Sequence, residues 1–170
     1  MRSKNSIINS KAKYSEDEER RYSLIRVWNE KKPKAVAILF NPAVATHIKF
    51  DKSTFLCMNK AIDNKCGSIE IVNLFSKRSP RKENLPKKYR VFEQENFDII
   101  KKAVESASLV IVGWGKGGEA MTEQSCFKDL LTEHETKLHC FGVYEEDNIP
   151  RHPSRGFGEK SKLYNYEISK

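Results

Sequence analysis

No apolar run in this 170-residue chain approaches the length of a membrane span. The start, Met1-Arg2-Ser3-Lys4, leads into polar sequence rather than an apolar export region. The expected location is therefore the cytoplasm, with no membrane partner. Cysteine is sparse: Cys57, Cys66, Cys126 and Cys140 show no C-x-x-C spacing. They read as reduced, mostly buried thiols, with an iron–sulfur site as the minor alternative. There is no H-E-x-x-H, no Cys/His metal spacing, no nucleophile elbow, no P-loop and no dinucleotide fingerprint. No metal or other cofactor is expected. Carboxylates are scarce near the expected site, with Asp51, Glu119 and Asp147 as candidates. Internal repeats and a second domain are also missing. Residues 1–19 read as a flexible N-terminal tail or short helix, and residues 20–170 as a single α/β domain.

Positive charge is plentiful. Lys and Arg number 31 against 23 Asp and Glu, a formal charge of +8 and a pI near 9.3. Such a balance favours polyanion partners. It is concentrated between Lys77 and Arg90, where Lys77, Arg78, Arg81, Lys82, Lys87, Lys88 and Arg90 face only Glu83. This stretch reads either as a solvated basic loop or as a surface that contacts nucleic-acid phosphates.

The chain is organised around Ala35-Val36-Ala37-Ile38-Leu39-Phe40, which runs into Asn41-Pro42. Uncharged and apolar on both alternating faces, it predicts a strand at the centre of an α/β sheet. Ile69-Glu70-Ile71-Val72 ends likewise at Asn73, and Leu109-Val110-Ile111-Val112 at Gly113-Trp114-Gly115. Ligands of open α/β sheets sit beyond the carboxyl ends of strands, so these three ends should share one rim. Alternation over 20–28 predicts another strand, forming a hairpin with the Ala35 strand through Asn29–Lys34. Helices are expected from Ser53, as cap, to about Lys65, over 93–106, and from Glu119 to about Thr132. The first should bury Phe55, Leu56, Met58, Ala61 and Ile62, with Gly67 ending it. A core strand over 138–143 and a short edge strand over 163–168 complete the pattern. The fold class is α/β: a three-layer α/β/α sandwich with a mainly parallel central sheet.

Asn41 and Asn73 each carry an amide that donates and accepts. They read either as contacts to a base edge or a water, or as ties within their own loops. The Trp114-Gly115-Lys116-Gly117-Gly118 turn exposes backbone N–H groups at a helix start, and Trp114 stacks on a base or covers the core. His152, between Arg151 and Pro153, is a proton donor or acceptor, or a surface loop histidine.

Several segments resemble the domain-of-unknown-function family 1643. They are Arg21-Tyr22-x-Leu24-x-Arg26-x-Trp28, Leu39-Phe40-Asn41-Pro42-Ala43-Val44-Ala45, Asn73-Leu74-Phe75-Ser76-Lys77-Arg78-Ser79, Trp114-Gly115-x-x-Gly118 and Arg151-His152-Pro153. That family typically reads L-N-P-S-T-A, N-L-F-x-x-R-A-T, W-G-x-x-G and R-H-P-L-Y. Here Ala43 and Val44 replace Ser-Thr, and Ser154-Arg155 replaces Leu-Tyr. A more distant resemblance is to the uracil/thymine-DNA glycosylases. Asn41-Pro42 is similar to their G-I-N-P-G motif, Asn73 through Arg78-Ser79-Pro80 to N-x-x-x-R-x-T, Trp114-Gly115 to L-L-W-G, and His152-Pro153-Ser154 to H-P-S. The resemblance implies a uracil-DNA-glycosylase-like fold that takes a flipped base. Asn41 would position water, Asn73 would read the base, His152 would steady the leaving base, and the backbone near Ser154 would hold a phosphate. Catalytic candidates are thus Asn41 and His152. Ligand-binding candidates are Pro42, Asn73, Arg78, Trp114, Gly115, Arg151 and Ser154. Backbone-contact candidates are Lys77, Arg81, Lys82, Lys87, Lys88 and Arg155.

Three functions remain open on these residues. One is a glycosylase-like domain that binds nucleic acid, DNA rather than RNA, or a nucleotide. The second is an active DNA glycosylase. The third is a module that binds an acidic protein.

Overall fold

The computed structural model describes residues 1–80 and 85–168. The expected phosphate contacts Arg81 and Lys82 lie outside the described residues. Strand β3 (Lys34–Leu39) forms the middle of a seven-stranded sheet of order β1-β2-β4-β3-β5-β6-β9. The others are β1 (Asn9–Tyr14), β2 (Arg21–Val27), β4 (Ser68–Asn73), β5 (Leu109–Gly113), β6 (Leu138–Cys140) and β9 (Tyr164–Asn165). Strands β7 (Val143–Tyr144) and β8 (Ile149–Pro150) pair separately.

The apolar run of β3 divides between two cores. Val36, Ile38 and Phe40 face helices α2 (Gln94–Glu105) and α4 (Ser125–Glu133). Ala35, Ala37 and Leu39 face α1 (Lys52–Asp63). Helices therefore cover both faces of the sheet, and no residue from Ala35 to Phe40 is more than 4% exposed. Replacing Ile38, fully buried, with Ala would cost about 2–5 kcal/mol.

The sheet is mixed rather than mainly parallel. Strands β4, β3, β5 and β6 are mutually parallel, whereas β1, β2 and β9 pair antiparallel. The physical reason is connection length. Parallel neighbours need a crossover, which α1, α2 and α4 supply, while β2 reaches β3 through a short turn that reverses direction. Nor do β2 and β3 form the expected hairpin, because β4 lies between them. Trp28 and Asn29 N–H donate to the Gly67 carbonyl, and Gly67 N–H donates to Pro33. The turn thus passes over the start of β4. A Cβ on Gly67 would stand 1.9 Å from the Asn29 carbonyl oxygen, so the residue expected to end α1 instead permits this crossing.

Other local expectations change similarly. The stretch expected as a loose tail or short helix contributes edge strand β1, whose exposed and half-buried residues alternate. Helix α1 is capped by Asp51, not Ser53. The Asp51 carboxylate accepts from Thr54 N–H and the Thr54 hydroxyl accepts from Asp51 N–H, so each residue satisfies the other's backbone. Its buried side includes Leu56, Cys57, Met58 and Ala61, while Phe55 and Ile62 are exposed. The helix expected over 119–132 is interrupted at Gln124, whose extended backbone separates α3 (Glu119–Thr122) from α4. Among the described residues, no helix is long and apolar enough to cross a membrane.

The Gly67→Ala substitution is expected to lower stability by about 1–3 kcal/mol, because the added methyl meets backbone that must shift. Chemical denaturation measures this, and an unchanged midpoint would contradict the crossing argument.

Candidate functional site

The register brings three strand ends into one row. Leu39 lies opposite Asn73 on one side and Gly113 on the other. From β3 the chain crosses to β4 on one flank and later returns to β5 on the other. The order therefore switches between β3 and β5, where the loops beyond the strands diverge and leave a crevice. A cleft of about 850 Å³ occupies this place. The β3 loop supplies Asn41, Ala43 and Val44, and the β5 loop supplies Gly115 and Lys116. Asp51, Lys52 and Ser53 enter from the start of α1, and His152, Ser154 and Arg155 from the loop after β8. Gly113 lets that last loop approach, since a Cβ there would stand 2.9 Å from Cδ of Pro153.

Among the sequence candidates, Asn41, Gly115, His152, Ser154 and Arg155 meet in this cleft. The Asn41 side-chain NH₂ donates to the carbonyls of Pro42 at 3.0 Å and Ser79 at 3.2 Å. Its donor half is thus used in shaping the loop, and its carbonyl oxygen is the group suited to a water or a ligand donor. His152 Nδ1 lies 2.9 Å from the Ser154 hydroxyl and accepts from Ser154 N–H at 3.3 Å. A backbone donor on Nδ1 places the proton of neutral His152 on Nε2. Arg151 packs against Tyr144 and Phe157 and donates to the Arg155 carbonyl, holding the His152 loop from behind.

Asn73 and Trp114 are elsewhere. Asn73 is 1% exposed and Trp114 2%, and neither lines the cleft. Asn73 Oδ1 accepts from Arg21 at 3.4 Å, and its backbone carbonyl accepts from buried Asn96. Trp114 packs edge-on against Tyr166. Pro42 is buried, and its carbonyl accepts from Ser79 N–H. Lys77 pairs with Glu19, while Arg78 donates to the Glu18 carbonyl and lies over Tyr14. These two cations therefore fasten the chain before β2. Lys87 and Lys88 remain exposed on a single 3₁₀ turn.

Residues not chosen from sequence complete the site. Arg90 lines the cleft with its guanidinium over Phe40. Lys116 also lines it and pairs with Asp147 at 3.1 Å, a contact that raises its pKa. Asp51, one of the three acids considered near the site from the sequence, lines the same cleft as the Asn41 loop. Its separation of ten residues hides the fact that the intervening loop folds back.

That fold-back depends on two buried arginines. Arg21 donates to the Ala45 carbonyl at 2.7 Å, and Arg26 to those of Thr46 at 2.9 Å and Lys49 at 3.1 Å. Each arginine residue is 2% exposed. Burial pushes Arg21 down to about 10, so it stays cationic at neutral pH. Their strand positions look like ordinary alternation, and no short motif reveals their loop partners.

Fold and cleft define an α/β protein with a cation-lined crevice at the switch point of its sheet. A family model described as protein of unknown function (DUF1643) matches residues 21–154, and the chain belongs to that family. The matched span runs from buried Arg21 to Ser154 in the cleft. No curated protein matches the chain.

The two roles of Asp51 are separable. Asp51→Ala should cost about 1 kcal/mol by removing the cap, whereas Asp51→Asn should be nearly neutral because Asn caps equally well. Equal losses in both variants, measured by thermal unfolding, would show that the charge rather than the cap holds α1.

Proposed function

We propose that this chain binds nucleic acid or a nucleotide in the switch-point cleft. The carrying observation is the charge of the lining: Lys52, Arg90, Lys116 and Arg155 converge from four segments, with Asp51 as the acid among the described lining residues and Asp147 paired to Lys116. Clustered cations in a concave, partly desolvated surface favour a ligand with phosphates. A volume near 850 Å³ falls within the usual range for small-ligand sites. The resemblance to uracil/thymine-DNA glycosylases, and with it a glycosylase-like fold, supplies the ligand class. Asn41 and His152, its two proposed chemical residues, stand in the same cleft. Buried Asn73 and Trp114 then shape the cleft from behind rather than contact the base.

Salt-dependent binding to single- and double-stranded DNA and to mononucleotides tests this reading. Lys52→Ala and Arg155→Ala should each weaken binding at all sequences alike. Each should also flatten the slope of log affinity against log salt by roughly one unit. Asp51→Asn should tighten binding by removing the cleft's carboxylate. No binding by the wild type at low salt, or slopes unchanged in these variants, would overturn the proposal.

An active glycosylase is the second reading, favoured by the Asp51 carboxylate. Asp51 with the Asn41 oxygen would orient a water towards the sugar carbon. The water oxygen would bond to the sugar carbon as the glycosidic bond breaks, the water's proton passing to the Asp51 carboxylate and the bond's electron pair leaving with the base. His152 would then donate through Nε2 to the departing anion. On this reading Asn41→Ala and Asp51→Asn nearly abolish base release, while His152→Ala slows it roughly 10²- to 10³-fold. Absence of release from a panel of modified bases by the wild type would leave the binding reading in place.

A further inference from the structure

Phe50 immediately precedes Asp51 and Lys52, both in the cleft lining. One face of its ring is already occupied, because Arg26 Cζ lies 3.4 Å from the ring centroid. That guanidinium is buried and held by the carbonyls of Thr46 and Lys49. Phe50 as a residue is nevertheless 43% exposed and belongs to neither core cluster. Its solvent contact therefore lies away from the guanidinium.

The loop carrying this ring is tightly tied. Thr46 N–H donates to the Lys49 carbonyl, and the Thr46 hydroxyl accepts from the N–H groups of Ile48 and Lys49. Ile48, 77% exposed, stands on the same turn. Two buried charges thus brace a turn that holds apolar side chains in water beside a cationic cleft. A loop needed only to connect β3 to α1 would not require them.

We propose that Phe50 is a base-stacking platform for a single nucleic-acid strand whose phosphates enter the cleft. The inference rests on the nucleic-acid reading above and names the form of the ligand. An aromatic ring backed by a cation presents one open face, and a base with no pairing partner can cover it. Every base has such a face, so the contact is tolerant of sequence. A paired duplex keeps its bases stacked on one another, so the platform favours single strands over duplexes and over free mononucleotides. Charge complementarity with Lys52 and Arg155 selects a strand rather than an apolar peptide for this place.

Binding of a fluorescently labelled oligothymidylate tests the platform. Phe50→Ala should weaken single-strand binding roughly ten- to hundredfold, the scale of one lost base stack. The salt slope should stay unchanged, because no phosphate contact is removed. Phe50→Trp should retain affinity, and its added indole fluorescence should fall when the strand binds. Equal affinity for wild type and Phe50→Ala overturns the platform, as does loss of affinity in a folded Phe50→Trp. If Lys52→Ala and Arg155→Ala still flatten the salt slope while Phe50→Ala changes nothing, only the platform falls. If the wild type binds neither strand nor nucleotide, the parent reading falls with it.

Discussion

Everything in this molecule follows from the two-sided burial of β3. A strand with no polar side chain from Ala35 to Phe40 can satisfy its backbone only within a sheet, and its side chains only beneath helices on both faces. Its alternation of Ala with larger residues sets the two layers apart. Ala35, Ala37 and Leu39 pack on the α1 side, while Val36, Ile38 and Phe40 pack under α2 and α4. Parallel pairing on both sides then aligns three carboxyl ends, and the switch between β3 and β5 opens the cleft.

The loop after β3 carries the costlier part of the design. Removing a guanidinium from water costs several kcal/mol, and Arg21 and Arg26 have no carboxylate within bonding distance among the described residues. Their hydrogen bonds to loop carbonyls offset this, at about 1.5–3 kcal/mol for each bond to a charged group. Nε of both remains without a partner among the described residues. Stability alone would be served as well by apolar side chains of similar volume. The arginines instead convert a connection into a fixed wall that holds Val44 and Asp51 in the cleft and Phe50 at its edge.

Charge is distributed unevenly between adhesion and display. Lys77 and Arg78, within the most basic stretch of sequence, are spent on the chain before β2. Lys52, Lys116 and Arg155, scattered in sequence, meet Arg90 from the end of the basic stretch in the cleft. A run of lysines and arginines thus divides in three dimensions, because a cation near a carboxylate or a carbonyl is recruited to the fold while Arg90 of the same run lines the cleft.

The sequence alone determined the α/β class, the central strand and the rim on which Asn41 and Gly115 stand. Continuous apolar runs ending in Asn-Pro, Asn and Gly are local signals of burial and its termination. His152 and Ser154 were legible for a similar reason, since a histidine before proline marks a fixed loop. Only the tertiary structure decided that β4 intervenes between β2 and β3, because strand order depends on which turn passes over which strand. It alone buried Asn73 and Trp114, whose polar atoms look equally available in any one-dimensional pattern. The placing of Arg90 over Phe40 and the Arg26–Phe50 stack likewise emerged only in three dimensions. Each depends on a loop folding back across long sequence separation, and hydrophobic periodicity carries no record of such contacts.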